Sequence, residues 1–226
     1  MSNLVIAIDG PASSGKTTTA RGIAQKLGYL HIDTGAMYRA MTLKVLESKF
    51  DMKDMSGIAR LAESTHIEET NRDGQVCVFL DGKDVTDRLR SREITNAVSA
   101  VSAIKEVRDV MVREQRRMGE KGGVVLEGRD IGTVVFPDAD VKVFMVADLT
   151  ERTRRRQHEM SGQNTSVDLE TLRNEIKRRD EWDSGRQLSP LKQADDAILL
   201  DTSHLTIDEQ IEFVVKLAQD KLKRRN

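Results

Sequence analysis

The sequence predicts an α/β fold in which helices cover both faces of a central parallel sheet of five strands. Short apolar segments alternate along the chain with longer amphipathic segments, which is the order of repeated strand-helix units. The apolar segments are rich in Val, Ile and Leu, as is typical of strands buried on both faces. A sheet of this kind binds its ligands at the carboxyl ends of the strands.

Eleven segments carry this pattern. The apolar segments predict strands at 4–8, 29–32, 123–127, 141–146 and 197–200. The amphipathic segments predict helices at 17–27, 36–47, 105–119, 151–160, 168–181 and 206–223. Strands and helices are therefore interspersed along the whole chain, as in proteins built on a parallel sheet.

Residues 64–90 interrupt the alternation. Two turn sequences, NRDG and LDGK, flank a segment rich in β-branched residues, and this combination indicates an antiparallel meander. We expect a small antiparallel β insert at the rim of the main sheet. Cys77 lies in this segment and is expected to be a half-buried strand residue.

Composition limits the class of protein. The 226 residues are 38% hydrophobic and 32% charged with a formal net charge of −1, which fits one soluble domain without overall attraction to nucleic acid or anionic membranes. The apolar run before Asp9 is too short for a signal peptide or a membrane span. The single cysteine excludes an internal disulfide and a cysteine-based zinc site. We expect a cytoplasmic protein.

A phosphate-binding loop follows the first predicted strand. The segment GPASSGKT at 10–17 matches G-x-x-x-x-G-K-[ST], with a strand before it and a helix after it. Backbone N–H groups of such a loop point at phosphate oxygens. Lys16 is expected at the β- and γ-phosphates, and the Thr17 hydroxyl at Mg²⁺. The predicted nucleotide-binding residues are Gly10, Pro11, Ala12, Ser13, Ser14, Gly15, Lys16, Thr17 and Thr18. The alternative is a glycine-rich turn that matches the motif by chance, and the strand before the loop and the helix after it argue against this alternative.

The loop alone does not distinguish a GTPase, a motor ATPase and a small-molecule kinase. The guanine-binding N-K-x-D element is absent. The strand at 123–127 ends in Glu127 followed by Gly128, Arg129 and Asp130, instead of the paired acids of a motor. A cation at this position suits a second phosphate-bearing ligand.

Two arginines follow glycine-containing turns at the ends of predicted strands. Arg39 closes DTGAMYR at 33–39, and Arg129 lies in EGRD at 127–130. The planar guanidinium binds two phosphate oxygens at once, so both arginines are predicted to hold an acceptor phosphate. Arg154 and Arg173, by contrast, are interpreted as exposed helix residues.

Several ordered motifs together resemble the cytidylate kinases of bacteria, a branch of the nucleoside monophosphate kinase family. They are DGPASSGKTT, DTGAMYR, NAVSAVSAIKEVR, GRDIGTVVFPDADVKVF, EIKRRDEWDSGR and LLDT, and they extend over nearly the whole chain. The resemblance implies a P-loop three-layer fold with a helical lid. It divides one kinase domain, 1–226, into a core (1–33, 105–150 and 187–226), an acceptor-binding region (34–104, with the β insert at about 64–90) and a lid with its following helix (about 151–186).

The resemblance also implies roles for individual residues. Lys16, Arg129 and the lid residues Arg152, Arg155 and Arg156 would act on the transferring phosphoryl group. The acceptor would be bound through its phosphate by Arg39, Arg129 and Arg186, through its base by Ser99, Arg108 and Asp130, and through its sugar by Arg179 and Asp183. Thr34 would also lie in the acceptor site, where some relatives have serine.

The implied reaction is transfer of the γ-phosphoryl group of Mg·ATP to CMP, and to dCMP, by a monomer that binds neither nucleic acid nor membranes. Kinases for UMP, AMP or another small acceptor, and a nucleotide-switched ATPase or binding module, remain as alternatives. Glu127 stands where aspartate is frequent and is only a candidate for the Mg²⁺ shell; Asp33 is a turn cap or a contact to metal-bound water. The scattered histidines, His31 among them, are interpreted as surface or strand residues.

Overall fold

The computed structural model describes residues 3–51, 53–72, 75–161 and 168–225. Its central sheet has five parallel strands in the order β2-β6-β1-β7-β8. Numbered in chain order, these strands are β1 (Val5–Asp9), β2 (Leu30–Asp33), β6 (Val124–Gly128), β7 (Val141–Val146) and β8 (Ile198–Asp201). All five predicted strands are present, and the predicted α/β class is confirmed.

The described residues contain eight α-helices. Six of them correspond to the predicted segments, and two were not predicted. They are α1 (Lys16–Leu27), α2 (Thr34–Ser48), α3 (Met55–Ser64), α4 (Arg92–Val101), α5 (Lys105–Gly119), α6 (Leu149–Ser161), α7 (Leu169–Gly185) and α8 (Ile207–Arg225).

Successive side chains of the central strand β1 enter two separate cores, because strand side chains alternate between the two faces of a sheet. Ile6 and Ile8 pack in one core with buried residues of α1 and α8. Ala7 packs in the other core with buried residues of α2 and α5. Helices therefore cover both faces, which gives the predicted three-layer arrangement.

The two helices that were not predicted, α3 and α4, both lie within residues 34–104. Each begins at a capping side chain: Asp54 accepts the Gly57 N–H at 2.8 Å, and Ser91 accepts the Ile94 N–H at 3.4 Å. Both helices have ten residues. Because ten residues make fewer than three helical turns, the apolar periodicity repeats too few times to stand out.

The β insert is an antiparallel meander of β3 (Ile67–Arg72), β4 (Gln75–Leu80) and β5 (Lys83–Asp84), within the predicted range. Cys77 lies half-buried on β4, as expected. The insert contacts the end of β2, where Glu69 Oε2 accepts the Asp33 N–H at 3.0 Å. This contact places the insert beside the carboxyl edge of the main sheet.

Among the described residues, no helix has the length and apolar character that crossing a membrane requires.

Candidate active site

Three strands of the central sheet end side by side at the carboxyl edge. Strand register pairs Asp9 with Gly128 and Asp33 with Glu127. The segments that follow are the phosphate loop, the start of α2 and the turn that carries Arg129. Since parallel strands in register end at one edge, residues far apart in the sequence meet there.

The backbone of the phosphate loop depends on its glycines. Gly10 has φ +152°, and a Cβ at this position would lie 2.1 Å from the carbonyl oxygen of Met145 on β7. Gly15 has φ +96° and immediately precedes α1. Only glycine adopts these angles readily, so the loop can curl against the sheet and direct its N–H groups outward from the helix amino terminus.

Lys16 is the buried cation of the loop. Its Nζ donates to the carbonyl oxygen of Pro11 at 2.6 Å and to Ser14 Oγ at 3.3 Å. Burial, reinforced by the charge of Arg129, lowers the pKa of Lys16 to about 7. A bound polyphosphate would stabilise the charged form of this buried ammonium group, so the position of Lys16 is suited to binding an anion.

Oxygen donors suited to Mg²⁺ lie next to this lysine. The Thr17 hydroxyl donates to Glu127 Oε2 at 2.8 Å, and the other carboxylate oxygen, Oε1, is 3.0 Å from His31 Nε2. Thr34 donates its hydroxyl to the Glu127 carbonyl oxygen at 2.6 Å. Mg²⁺ prefers hydroxyl, carboxylate and phosphate oxygens, so the donor set fits this ion. The Glu127 carboxylate thus contacts the residue that is predicted to bind Mg²⁺.

Asp33 caps α2, which is one of the two roles considered for it. Its Oδ1 accepts the Ala36 N–H at 2.9 Å, and its Oδ2 lies 3.4 Å from Arg39 Nη2. The Nε atom of Arg39 is buried and has no hydrogen-bond partner among the described residues. Arg39 therefore keeps donor capacity for a ligand at the end of β2.

Three arginines surround one buried carboxylate, Asp183. Arg129 Nε donates to Asp183 Oδ2 at 2.9 Å, Arg186 donates to Oδ1, and Arg179 Nε lies 4.0 Å from Oδ2. Burial acts to raise the pKa of Asp183, but these cations outweigh it and hold the pKa below its usual value. We name Arg129, Arg179, Arg186 and Asp183 the arginine cluster.

The arginine cluster carries more positive than negative charge. Burial, followed by the charges of Arg129 and Arg39, lowers the pKa of Arg179 to about 10. The Nε atoms of Arg179 and Arg186 are buried without a hydrogen-bond partner in the described part of the chain. Three cations against one carboxylate leave an excess that an anionic ligand would offset.

Arg108 and Asp130, both predicted to contact the base, form a buried ion pair. Arg108 also donates to Ser189 Oγ at 3.1 Å and to the Ser102 carbonyl oxygen at 3.2 Å, and its guanidinium lies 5.5 Å from the centre of the Tyr38 ring. Burial raises the pKa of Asp130. Ser99 lies half-buried on α4, one turn before Ser102.

The three arginines predicted to lie in the lid have different surroundings. Arg152 donates to the Ala12 carbonyl oxygen at 3.3 Å and to Asp180 Oδ2 at 2.6 Å. Arg155 donates to the Ser14 carbonyl oxygen at 3.2 Å and to the Thr202 carbonyl oxygen at 2.7 Å. Both therefore contact the phosphate loop.

Arg156 instead bonds Glu159 at 3.1 Å on its own helix. Arg154 and Arg173, which were interpreted as surface residues, are exposed.

Sequence analysis missed Asp9. Its two carboxylate oxygens accept the N–H groups of Ile131 and Gly132, each at 2.8 Å, in the single π-helical turn Ile131–Val135 that follows Asp130. Burial raises the pKa of Asp9 to about 6. The acid was visible next to the phosphate loop, but nothing local identified partners more than a hundred residues away.

Comparison with known proteins points to one family. A family model described as "Cytidylate kinase" matches residues 6–220. Proteins named "Cytidylate kinase" from Geobacillus sp. (strain WCH70) and Chloroherpeton thalassium are 47% and 51% identical over 221 residues. These alignments cover 97% and 96% of this chain, and 98% and 94% of those proteins.

One solved structure, an uncharacterized protein from Eubacterium ventriosum, aligns with 96% of this chain and 99% of its own, with a TM-score of 0.54 and 14% identity. This likeness concerns the fold alone.

Proposed function

The chain belongs to the cytidylate kinase family, and we propose that it transfers the γ-phosphoryl group of ATP to CMP and dCMP, giving CDP or dCDP and ADP. The observation that carries the proposal is the arginine cluster beside the phosphate loop, with three cations around the single carboxylate of Asp183. One polyphosphate bound at the loop would not need this second set of cations. A second phosphate-bearing ligand would.

The acceptor phosphate is proposed to bind between Arg39 on α2, Arg129 after β6 and Arg186 after α7. Arg39 and Arg186 each have a buried Nε without a partner among the described residues. The acceptor oxygen is already ionised, so the transfer needs no strong protein base. Positioning of the two phosphates and neutralisation of their charges account for the rate enhancement.

The donor site is proposed at Gly10–Thr18, with Lys16 at the β- and γ-phosphates. Mg²⁺ would be held by the Thr17 hydroxyl, with Glu127 beside it, and when bound it would neutralise charge on the phosphoryl oxygens. The protein supplies the oxygen ligands for this ion: Thr17 Oγ1 and Glu127 Oε2 lie 2.8 Å apart. Arg152 and Arg155 brace the carbonyl oxygens of the loop.

Base recognition is proposed for Ser99, Arg108 and Asp130. Cytosine carries an amino donor at position 4 and acceptors at N3 and O2, which suit a carboxylate and a guanidinium, respectively. Uracil reverses the polarity at position 4 and N3, so the same groups would be mispaired. A buried polar site of this kind can discriminate by roughly 10⁴-fold.

Sugar binding is proposed for Arg179 and Asp183. Both oxygens of Asp183 bond arginines in the structure, so a sugar hydroxyl would have to share one of them. Thr34, whose hydroxyl bonds the Glu127 carbonyl oxygen, is proposed to shape the acceptor site from the start of α2.

The proposal includes the three regions inferred from the sequence: the core, the acceptor-binding region 34–104 and the lid with its following helix at about 151–186. Part of the lid region lies outside the described residues. Closure of the acceptor-binding region and the lid over the phosphates would exclude water. We further propose a cytoplasmic monomer without a nucleic-acid partner, consistent with the net charge of −1.

The test is ADP formation from Mg·ATP by the purified protein with CMP, dCMP, UMP, AMP, GMP or no acceptor. Rapid ADP formation with CMP and dCMP alone is the expected result. A preference for UMP or AMP would overturn the roles of Ser99, Arg108 and Asp130 and leave the phosphate site intact. Equal hydrolysis without any acceptor would contradict the kinase function and favour a nucleotide-switched ATPase.

A further inference from the structure

We infer that His31 is a positioning residue for Mg²⁺-dependent ATP binding, acting through Glu127 on the hydroxyl of Thr17. This inference rests on the proposed function only in taking Mg·ATP as the donor. The ring of His31 bonds Glu127 and not Thr17 itself. The three side chains form a continuous chain of two polar contacts, 3.0 Å from His31 Nε2 to Glu127 Oε1 and 2.8 Å from Thr17 Oγ1 to Glu127 Oε2.

The sheet brings His31 and Glu127 to the same face. Strands β2 and β6 pair in parallel with His31 opposite Val125, two residues before Glu127. Since alternate residues share a face, the side chains of His31, Val125 and Glu127 project together. Val125 packs in the core formed with α1, and Thr17 lies at the start of that helix. The contact is therefore a direct result of strand register.

Both members of the pair are buried. His31 is 2% exposed and Glu127 4% exposed. Because a carboxylate only accepts hydrogen bonds, the ring proton must lie on Nε2 of His31 for the pair to be satisfied. The second ring nitrogen, Nδ1, is buried without a partner among the described residues, so the polar contact of the ring is made to Glu127.

The orientation of Thr17 gives this contact a consequence. A threonine hydroxyl has one proton and two lone pairs, and it rotates freely unless a partner fixes it. When the proton points at Glu127 Oε2, the lone pairs are directed elsewhere and can bind a cation. Glu127 fulfils this role only if its own carboxylate is fixed, and groups that orient metal ligands typically affect metal affinity by about 10–100-fold.

Glutamate needs such support more than aspartate does. Its side chain has one more rotatable bond, and ordering each additional torsion costs conformational entropy. His31 holds the Oε1 end and leaves Oε2 aimed at Thr17. An aspartate at 127 would be too short to bond both His31 and Thr17, so it would gain little from the histidine. The contribution of His31 should therefore depend on glutamate at position 127.

The experiment measures equilibrium ATP affinity, without any acceptor, in Mg²⁺ and in EDTA. The variants are His31→Leu, Glu127→Asp and the double variant, with His31→Gln as the matched control because its amide places a donor near the position of Nε2. His31→Leu is expected to weaken ATP binding about tenfold or more in Mg²⁺ and to leave binding in EDTA nearly unchanged. His31→Gln should stay close to the original protein.

The double variant provides the decisive comparison. In the Glu127→Asp background, loss of His31 is expected to have little further effect on Mg·ATP affinity, so the two substitutions are non-additive. Equal losses in Mg²⁺ and EDTA, or the same loss with Asp and Glu at 127, would overturn the inference. Thermal unfolding of each variant identifies misfolding. If His31→Leu does not fold, His31→Asn replaces it, because the asparagine amide is too short to reach Glu127. An unaltered Mg²⁺ dependence of ATP affinity in His31→Asn would also overturn the inference. If CMP does not stimulate ADP formation, the proposed function is overturned, but the comparison of ATP affinities among the His31 and Glu127 variants still tests this inference.

Discussion

The carboxylate of Asp9 accepts the backbone N–H of Gly132 at 2.8 Å, across 123 residues of sequence. Asp9 is the last residue before the phosphate loop, and Gly132 lies in the turn that follows Arg129 and Asp130. The other carboxylate oxygen accepts the Ile131 N–H. One buried side chain thus ties the residue before the phosphate loop to the turn that directly follows two proposed acceptor-binding residues, Arg129 and Asp130.

Asp9→Asn should disturb the acceptor site more than the donor site. The new amide can accept from one N–H but would oppose the other, and an unsatisfied buried donor costs about 1–3 kcal/mol. We expect a larger rise in KM for CMP than for ATP, together with a lower urea midpoint. Steady-state kinetics and equilibrium unfolding check this, with exposed Asp208→Asn as the control. A rise in KM for ATP alone would contradict the link to the turn.

Arg129→Ala should reduce phosphoryl transfer and leave ATP binding nearly intact. Arg129 bonds Asp183 and lies at the end of β6 rather than in the phosphate loop. Removing one preorganised cation is expected to lower kcat by roughly 10²–10³-fold. The matched control is Arg154→Ala on α6, because the side chain of Arg154 is 75% exposed. Unchanged turnover in Arg129→Ala would remove this residue from the active site.

Asp130 is expected to determine the preference for cytosine. Asp130→Asn keeps the size of the side chain but replaces an acceptor of the cytosine amino group with a group that also donates. The ratio of kcat/KM for CMP to that for UMP should fall by at least about tenfold. Exposed Asp138→Asn is the control for loss of charge. If the ratio persists in Asp130→Asn while both rates fall together, Asp130 supports Arg108 and does not select the base.

Nucleotide binding should become linked to protonation of Lys16. Burial lowers the pKa of this group to about 7 in the empty site, and bound phosphates would raise it. At pH 6 the ammonium is already charged, so binding takes up few protons; at pH 8 it takes up nearly one per nucleotide. Calorimetry in buffers of different ionisation enthalpy measures this uptake.

The control is Lys16→Arg, which stays charged at both pH values, and the difference between the two proteins removes the nucleotide's own titration. If proton uptake on nucleotide binding at pH 8 is equal in the two proteins, Lys16 is not the group that takes up the proton.

Glu69→Gln should stabilise the protein more at pH 8 than at pH 5. Burial, followed by the charge of Asp33, raises the pKa of Glu69 well above 4.5. The folded protein therefore retains this proton over a pH range in which the unfolded chain releases it, and stability falls as pH rises. Glutamine can still accept the Asp33 N–H without that cost.

Urea unfolding at both pH values checks the prediction, with exposed Glu68→Gln on the same strand as the control. A stability gain for Glu69→Gln that is equal at the two pH values would contradict it.

Local patterns in the sequence were sufficient for most of the fold. Five apolar strands, six amphipathic helices and the turns of the β insert each leave a local signal in the sequence. The phosphate loop is likewise a continuous motif, and Asp33 acts as a helix cap within its own turn. The helices α3 and α4 were missed because each has only ten residues, too few for its apolar periodicity to repeat clearly.

The relationships between distant residues depend on strand register and packing. The Gly128, Arg129, Asp130 sequence predicted a cation at the strand end, but not that Asp183 would hold Arg129 and Arg186 together. The same applies to Asp9 with Gly132 and to His31 with Glu127. The chemical groups of this site, and the strand ends at which they stand, can be read from the order of residues. Which of these groups meet follows from the folded sheet, because pairing across a parallel sheet leaves no local trace in the chain.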